Sequence, residues 1–160
     1  MNMITVNEGS VTIVVPDFSK VSARAPVFYN PSMEFNRDVS VVALQVFQRL
    51  LGGGISVADT FSGSGIRAIR YLVEVEGVSE AFANDINPLA VECIKNNSVI
   101  NSVSPEVSRE DASIFLRSNH GRFDVIDIDP FGTPAPFLDS AAASARNNSL
   151  LHSHEPCKVP

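Results

Sequence analysis

The sequence predicts an α/β fold: an open, largely parallel sheet, incomplete as it stands, preceded by an N-terminal β-hairpin. Three observations carry that prediction. The apolar run Ile55-Ser56-Val57-Ala58 leads into Asp59-Thr60-Phe61-Ser62-Gly63-Ser64-Gly65-Ile66-Arg67, and Ile66, Ile69, Leu72 and Val73 follow at helical spacing. Strand, glycine turn and helix in that order form the first unit of a doubly wound sheet, with a turn tight enough to bring backbone close to a ligand. Next, Asp85 closes a second strand 22 residues after Gly63, near the ~20-residue offset at which an acid receives ribose hydroxyls in nucleotide-binding sheets. Finally, Asp111 and Asp129 stand at the ends of a third and a fourth strand. Ligands of open α/β sheets bind beyond the carboxyl ends of the strands, so four such ends make one rim.

Taken from the N-terminus, Met3–Val6 and Ser10–Val15 read as two strands joined by Asn7-Glu8-Gly9. Pro16-Asp17-Phe18-Ser19 is a turn, and Pro26 and Pro31 exclude helix just before them. Phe28-Tyr29-Asn30-Pro31 places two aromatics in a loop, either as packing against the sheet or as the wall of a substrate pocket. Asn36 or Asp38 is expected to cap a helix running to about Leu51. Its buried stripe is expected to be Val39, Val42, Ala43, Val46, Phe47 and Leu50, and Gly52-Gly53-Gly54 ends it. Arg37 at its mouth is either a solvated cation or a bidentate clamp for a carboxylate.

Beyond the glycine turn, a helix is expected over 66–76 and a strand over Ala81–Ile86. Asn87-Pro88 opens a helix to Asn97, in which Cys93 reads as a small buried hydrophobe. Asp85 serves the ribose, the helix start, or both. Glu106–Arg109 is a short strand, Ala112–Ser118 a short helix, and Phe123–Asp129 a strand that mixes aspartates with branched apolar residues. A helix over 135–146 should carry Phe137, Leu138, Ala141 and Ala145 on one side, and Ser149-Leu150-Leu151 is a strand stub.

At 160 residues, 44% of them hydrophobic and 19% charged, the chain suits one domain with a real core. No apolar run reaches the ~18 residues needed to cross a bilayer, and Met1-Asn2-Met3-Ile4 lacks the charged and apolar regions of a signal peptide. The cytoplasm is therefore the expected location, with no membrane partner. Two cysteines, Cys93 and Cys157, are too few for a disulfide framework or a four-cysteine metal site. His152, His154 and Cys157 on the tail are not expected to bind a metal.

The net charge is −6, all of it from residues 51–160, which carry eight basic and fourteen acidic side chains. An acidic chain makes a poor stand-alone nucleic-acid binder, because phosphate contacts supply most of that affinity. No Gly-x-x-x-x-Gly-Lys loop is present, which argues against an NTPase. Acids rather than cations at the turn suit an adenosyl sulfonium cofactor better than a diphosphate.

Asp59-x-x-Ser62-Gly63-Ser64-Gly65-Ile66-Arg67, Asn84-Asp85-Ile86-Asn87-Pro88 and Asp129-Pro130-Phe131-Gly132-Thr133-Pro134 resemble the motifs of Rossmann-like class I S-adenosylmethionine-dependent methyltransferases. With Val15-Pro16-Asp17 and Phe28-Tyr29-Asn30-Pro31-x-Met33-x-x-Asn36-Arg37-Asp38, the chain is similar to the tRNA (guanine-26-N2)-dimethyltransferases from about Glu8 to Leu151. The resemblance implies S-adenosyl-L-methionine as cofactor, bound by Arg37, Arg67, Asp85, Asp111 and Ala112. Asp59, Ser62, Gly63 and Gly65 of the turn belong to the same rim. It also implies that Asp129, Pro130 and Phe131 receive the target guanine amine of a tRNA substrate.

The resemblance further divides the chain. Residues 1–36 form the hairpin and irregular segment, 37–151 a partial methyltransferase domain, and 152–160 a tail unlike the family. Four strands and a stub fall short of the family's seven, and the family's basic, tRNA-binding C-terminal domain is not in this chain. An inactive fragment with a bare strand edge is the expectation for the chain alone. Two rival readings stand beside this one: a class I methyltransferase for DNA, rRNA or a small molecule, and a catalytically dead cofactor-binding or interaction fragment.

Overall fold

The structure, a computed structural model, describes residues 2–17 and 27–153. The expected turn at Phe18-Ser19, Pro26 and the tail from His154 lie outside the described residues.

Strands β1 (Met3–Glu8) and β2 (Val11–Pro16) pair antiparallel, with Glu8 opposite Val11, so the turn is Gly9-Ser10 and Glu8 belongs to the strand rather than to the turn. Strands β3 (Ile55–Asp59), β4 (Val78–Asn84), β5 (Glu106–Ser108), β6 (Phe123–Ile128) and β7 (Ala145–Ser153) form the main sheet in the order β5-β4-β3-β6-β7. All four pairings in it are parallel. The chain runs outward from β3 through β4 to β5 and returns to β6 on the other side, so the order reverses between β3 and β6. Ligands of open sheets bind at such a switch point.

Helices α1 (Glu34–Leu51), α2 (Ile66–Glu74) and α3 (Pro88–Ile100) cover one face, and α4 (Ala112–Ser118) and α5 (Leu138–Ser144) the other. Side-chain alternation along the strands divides the core accordingly. Val57 of β3 packs with Leu44, Tyr71 and Val75, whereas Ala58 packs with Phe82, Phe115, Leu116 and Ala141. The hairpin sits on the first face, where Val11, Ile13 and Val15 meet Ile66 and Ile69.

The outer edge of β2 is satisfied by side chains rather than by a strand. Asn97 Oδ1 accepts from the Val14 amide, and Asn101 both accepts from the Thr12 amide and donates to the Thr12 carbonyl. Two asparagines one helical turn apart thus match alternate residues of a strand edge that needs partners.

Several expected boundaries are corrected. Neither Asn36 nor Asp38 caps α1, which follows a 3-10 turn at Pro31–Met33 capped by Asn30. Gly52 ends α1 as expected, in a left-handed conformation at φ 71°. The face that α1 turns to the sheet carries Arg37, Ser40 and Leu44, while Val39, Val42, Val46 and Leu50 are exposed. The helix expected over 135–146 is a 3-10 turn (Ala135–Phe137) followed by α5, and β7 begins at Ala145. The Arg122 amide takes the Ser144 carbonyl and Asn148 adopts φ 61°, which turns the chain without glycine or proline.

The stub expected at Ser149-Leu150-Leu151 is a nine-residue strand, so β6 is flanked on both sides. Among the described residues no helix is long and apolar enough to cross a membrane. Cys93 is buried, and burial pushes its thiol up to about 11.

Candidate active site at the carboxyl ends of the strands

The turn between β3 and α2 is held from both sides. Thr60 donates through its amide and hydroxyl to the Asp127 carbonyl on β6, and the Ser62 amide donates to the Asn84 carbonyl on β4. Gly63 adopts φ +53°, and a Cβ there would stand 2.8 Å from the Phe28 carbonyl oxygen, so the loop before α1 lies directly against the turn. Its amide donates to Asp85 Oδ2 at 2.8 Å, while Asp85 Oδ1 accepts from the Asn87 amide at 2.9 Å. One carboxylate therefore ties the glycine turn to the start of α3, and each of its oxygens keeps a lone pair. Asp85 is half-buried at the rim.

On the neighbouring strand Asn84, fully buried, brackets the loop after β5 by donating to the Glu110 carbonyl and accepting from the Glu110 amide and the Ser108 hydroxyl. This fixes the loop that carries Asp111 at the strand end next to that of β4. Asp111 is exposed and caps α4 through the Ser113 and Ile114 amides, and Ala112 behind it is buried.

Beneath the rim lies a charged network. Asp59 of β3 and Asp127 of β6 are direct cross-strand partners, and both are buried. Like charges at such a pair repel. The structure offsets this with Arg67 of α2, whose Nη1 lies 3.7 Å from Asp127 Oδ2, and with the Tyr71 hydroxyl, which donates to the same oxygen at 2.5 Å. Burial and the neighbouring Asp127 push the Asp59 carboxyl up to about 8, and its Oδ2 has no hydrogen-bond partner among the described residues. Burial and the charge of Asp127 also hold the Tyr71 phenol well above its ordinary range.

Arg67 reaches further toward the rim. Its Nη2 donates to Asp129 Oδ2 at 3.0 Å and to Asn36 Oδ1 at 2.7 Å, and its Nη1 to the Ser40 hydroxyl at 3.0 Å. Asp127 on β6 and Asp129, the residue just beyond that strand, thus share one guanidinium.

Arg37 is placed differently from the rest. Its Nε and Nη2 grip Glu8 Oε1 and Oε2 at 2.6 and 2.5 Å, and Nη2 also donates to the Asn30 carbonyl. The carboxylate in its fork comes from the hairpin. Glu8 accepts from Arg70 Nη1 and the Tyr29 hydroxyl as well, both at 3.0 Å. Burial alone would raise the Glu8 carboxyl, but Arg37, Arg70 and Tyr29 together hold it below its ordinary value. Tyr29, deprived of water beside that carboxylate, is pushed up to about 12.

After β6 the chain leaves the sheet with Pro130 buried and Phe131 exposed. Phe131 meets Phe28 edge to face, with ring centroids 4.8 Å apart. The structure thus brings Asp59, Ser62, Gly63, Gly65, Arg67, Asp85, Asp111, Ala112 and Asp129–Phe131 to one end of the sheet. It sets Arg37 at the junction of hairpin and α1, one loop away through Asn30.

Sequence reasoning missed Glu8, Arg70, Asn84, Asn97 and Asp127. Asp127 carried the only signal, an acid inside an apolar strand. Each of the others has at least one partner 26 or more residues distant, which no local spacing reveals.

Comparison with known proteins identifies the family. Residues 9–153 match a family model described as N2,N2-dimethylguanosine tRNA methyltransferase. Over 149 residues the chain is 97% identical to the tRNA (guanine(26)-N(2))-dimethyltransferase of Methanothermobacter thermautotrophicus, covering 93% of this chain and 39% of that protein. It is 45% identical to the tRNA (guanine(26)-N(2)/guanine(27)-N(2))-dimethyltransferase of Aquifex aeolicus, over 93% of this chain and 39% of that protein. Among solved structures, Trm1 from Pyrococcus horikoshii in complex with S-adenosyl-L-methionine superposes with a TM-score of 0.80 at 34% identity, covering 94% of this chain and 42% of that one. The chain thus spans about two-fifths of the length of these relatives, and it belongs to the N2,N2-dimethylguanosine tRNA methyltransferase family.

Proposed function

We propose that this chain forms the cofactor- and guanine-binding part of an S-adenosyl-L-methionine-dependent enzyme that methylates the exocyclic N2 of guanine 26 in tRNA, giving N2,N2-dimethylguanosine. The observation that carries this reading is the meeting of Asp129, Pro130 and Phe131 with the turn Asp59–Gly65, Asp85 and Asp111 at one end of the sheet. The donor set suits the cofactor. Asp59 Oδ2 and the buried Ser64 hydroxyl lack partners among the described residues, and Asp85 and Asp111 stand at adjacent strand ends where ribose and purine groups are received. Ser62, Gly63, Gly65, Ala112 and Arg67 complete that rim, and Arg37 supports it through Asn30.

When bound there, S-adenosyl-L-methionine supplies an electrophilic sulfonium methyl group. The chain's own task is to present the amine. A guanine N2 is a poor nucleophile because its lone pair is delocalised into the ring. Arg67 occupies Asp129 Oδ2, which leaves Oδ1 to accept an N–H of the amine. The Pro130 carbonyl accepts the second N–H, and the lone pair is then held toward the methyl group. Phe131 stacks on the base taken out of its helix. Alignment and electrostatics of this kind supply several kcal/mol of barrier lowering, and Asp129 takes the proton once the methyl group has moved.

The net charge of −6 supports a reading in which the phosphate-binding surface is supplied from outside these 160 residues. On this reading the 160 residues alone bind cofactor but do not methylate tRNA, and the expected compartment is the cytoplasm. Calorimetric titration with S-adenosyl-L-methionine tests the first half, and absence of binding removes the proposal. In a version extended to family length, Asp129→Asn should abolish methyl transfer and leave cofactor affinity within about threefold, since its partner is the base. Near-normal turnover by that variant would reject the mechanism.

A further inference from the structure

Helix α1 carries two apolar faces, and only one has a partner. Leu44, with Val41 and Phe47 partly buried beside it, packs on the sheet. Phe35, Val39, Val42, Val46 and Leu50 lie on the opposite side with 78%, 48%, 63%, 54% and 80% of their surface exposed. Their spacing of four, three, four and four residues sets them in one straight ridge about 22 Å long at 1.5 Å per residue. It is a contiguous apolar row on the surface, the kind of patch at which partners dock.

We propose that this ridge is a self-association surface, on which a second copy of the chain docks α1 against α1 in antiparallel orientation. Charge selects both the partner and the direction. The flank of the ridge carries exposed Glu34 at its amino end and exposed Arg49 at its carboxyl end, while Asp38 on the same flank pairs with Arg70 of its own copy. An antiparallel pair related by a two-fold axis between Val42 and Ala43 sets Arg49 of each copy against the acidic end of the other. It also sets Phe35 against Leu50 and Val39 against Val46. A parallel two-fold pair would put these charged flanks on opposite sides of the seam, where Arg49 and Glu34 do not meet. The arrangement is isologous and closes on itself, which gives dimers rather than filaments. It leaves the rim at the strand ends untouched, and the proposal does not depend on the catalytic reading.

Analytical ultracentrifugation of the chain at tens of micromolar should give twice the 17.2 kDa mass. Val42→Lys, an exposed substitution that leaves the fold unchanged by circular dichroism and thermal melt, should return it to monomer. Orientation is read by oxidation in a Cys157→Ser background. Val42→Cys at the axis should cross-link to itself, whereas Phe35→Cys should cross-link to Leu50→Cys and not to itself. A monomeric native chain overturns the proposal, as does a dimer indifferent to Val42→Lys. Self-cross-linking of Phe35→Cys equally overturns it, because that result requires parallel or disordered association. Dimerisation that appears only when the remainder of a family-length chain is missing, and is blocked by that remainder, would show instead that α1 is an interdomain seat.

Discussion

One buried carboxylate ties the hairpin to the guanidinium groups of α1 and α2, and replacing Glu8 by glutamine should therefore cost far more than an ordinary hydrogen bond. Glu8 is 1% exposed and accepts four hydrogen bonds, two from Arg37, one from Arg70 and one from Tyr29. Glutamine has nearly the same shape, but it carries no charge and turns two N–H donors toward groups that are themselves donors. Arg70 keeps Glu74 and Asp38, while Arg37 is left with the Asn30 carbonyl and the face of Tyr29. A buried guanidinium without its counter-ion costs roughly 3–5 kcal/mol, a large part of the 5–15 kcal/mol that stabilises a typical domain.

Urea unfolding of the chain and of Glu8→Gln at neutral pH measures that loss. The sign with pH is determined as well. The Glu8 carboxyl lies below its ordinary 4.5 in the folded state, so its contribution is full above that value and fades as pH falls through the lower folded value. The two proteins should therefore differ most at neutral pH and converge in acid. A difference below about 1 kcal/mol at neutral pH would refute the reasoning, because surface ion pairs are worth that little.

Three further outcomes are expected. Gly63→Ala must take up a left-handed φ with its Cβ 2.8 Å from the Phe28 carbonyl; it should lower stability by about 1–3 kcal/mol in thermal unfolding and weaken cofactor binding with it. Asp85→Ala should weaken S-adenosyl-L-methionine binding by about 1.5–3 kcal/mol, measured by calorimetry, since it removes a charged acceptor at the rim and frees the Gly63 amide. Asp59→Asn should stabilise the protein more at pH 9 than at pH 5. The folded carboxyl is raised from 3.8 to about 8, so stability falls as pH climbs through that window and an uncharged residue escapes the loss. Equal shifts of melting temperature at the two pH values would contradict it.

The α/β class, the order of elements, the glycine turn and the rim of acids were all determined by local sequence. Each rests on periodicity, on a glycine forced to positive φ, or on an acid at or just beyond a strand end, and these are properties of a few consecutive residues. The Asn87-Pro88 entry to α3 and the Gly52 exit from α1 were legible for the same reason. Tertiary structure alone decided which side of α1 meets the sheet. Two apolar stripes compete on that helix, and periodicity selects Val39, Val42, Ala43, Val46, Phe47 and Leu50. Of these, Phe47 does pack beside Leu44, while Val39, Val42, Val46 and Leu50 stay exposed. Packing chooses instead the side that also lets Arg37 reach Glu8 and Ser40 reach Arg67. A buried guanidinium with no partner costs more than an exposed valine gains by burial, so the polar contacts set the rotation of the helix. The same holds at Asp59 and Asp127, which only strand pairing sets side by side. It holds too at β7, whose pairing with β6 overrides a helical pattern that no glycine or proline interrupts.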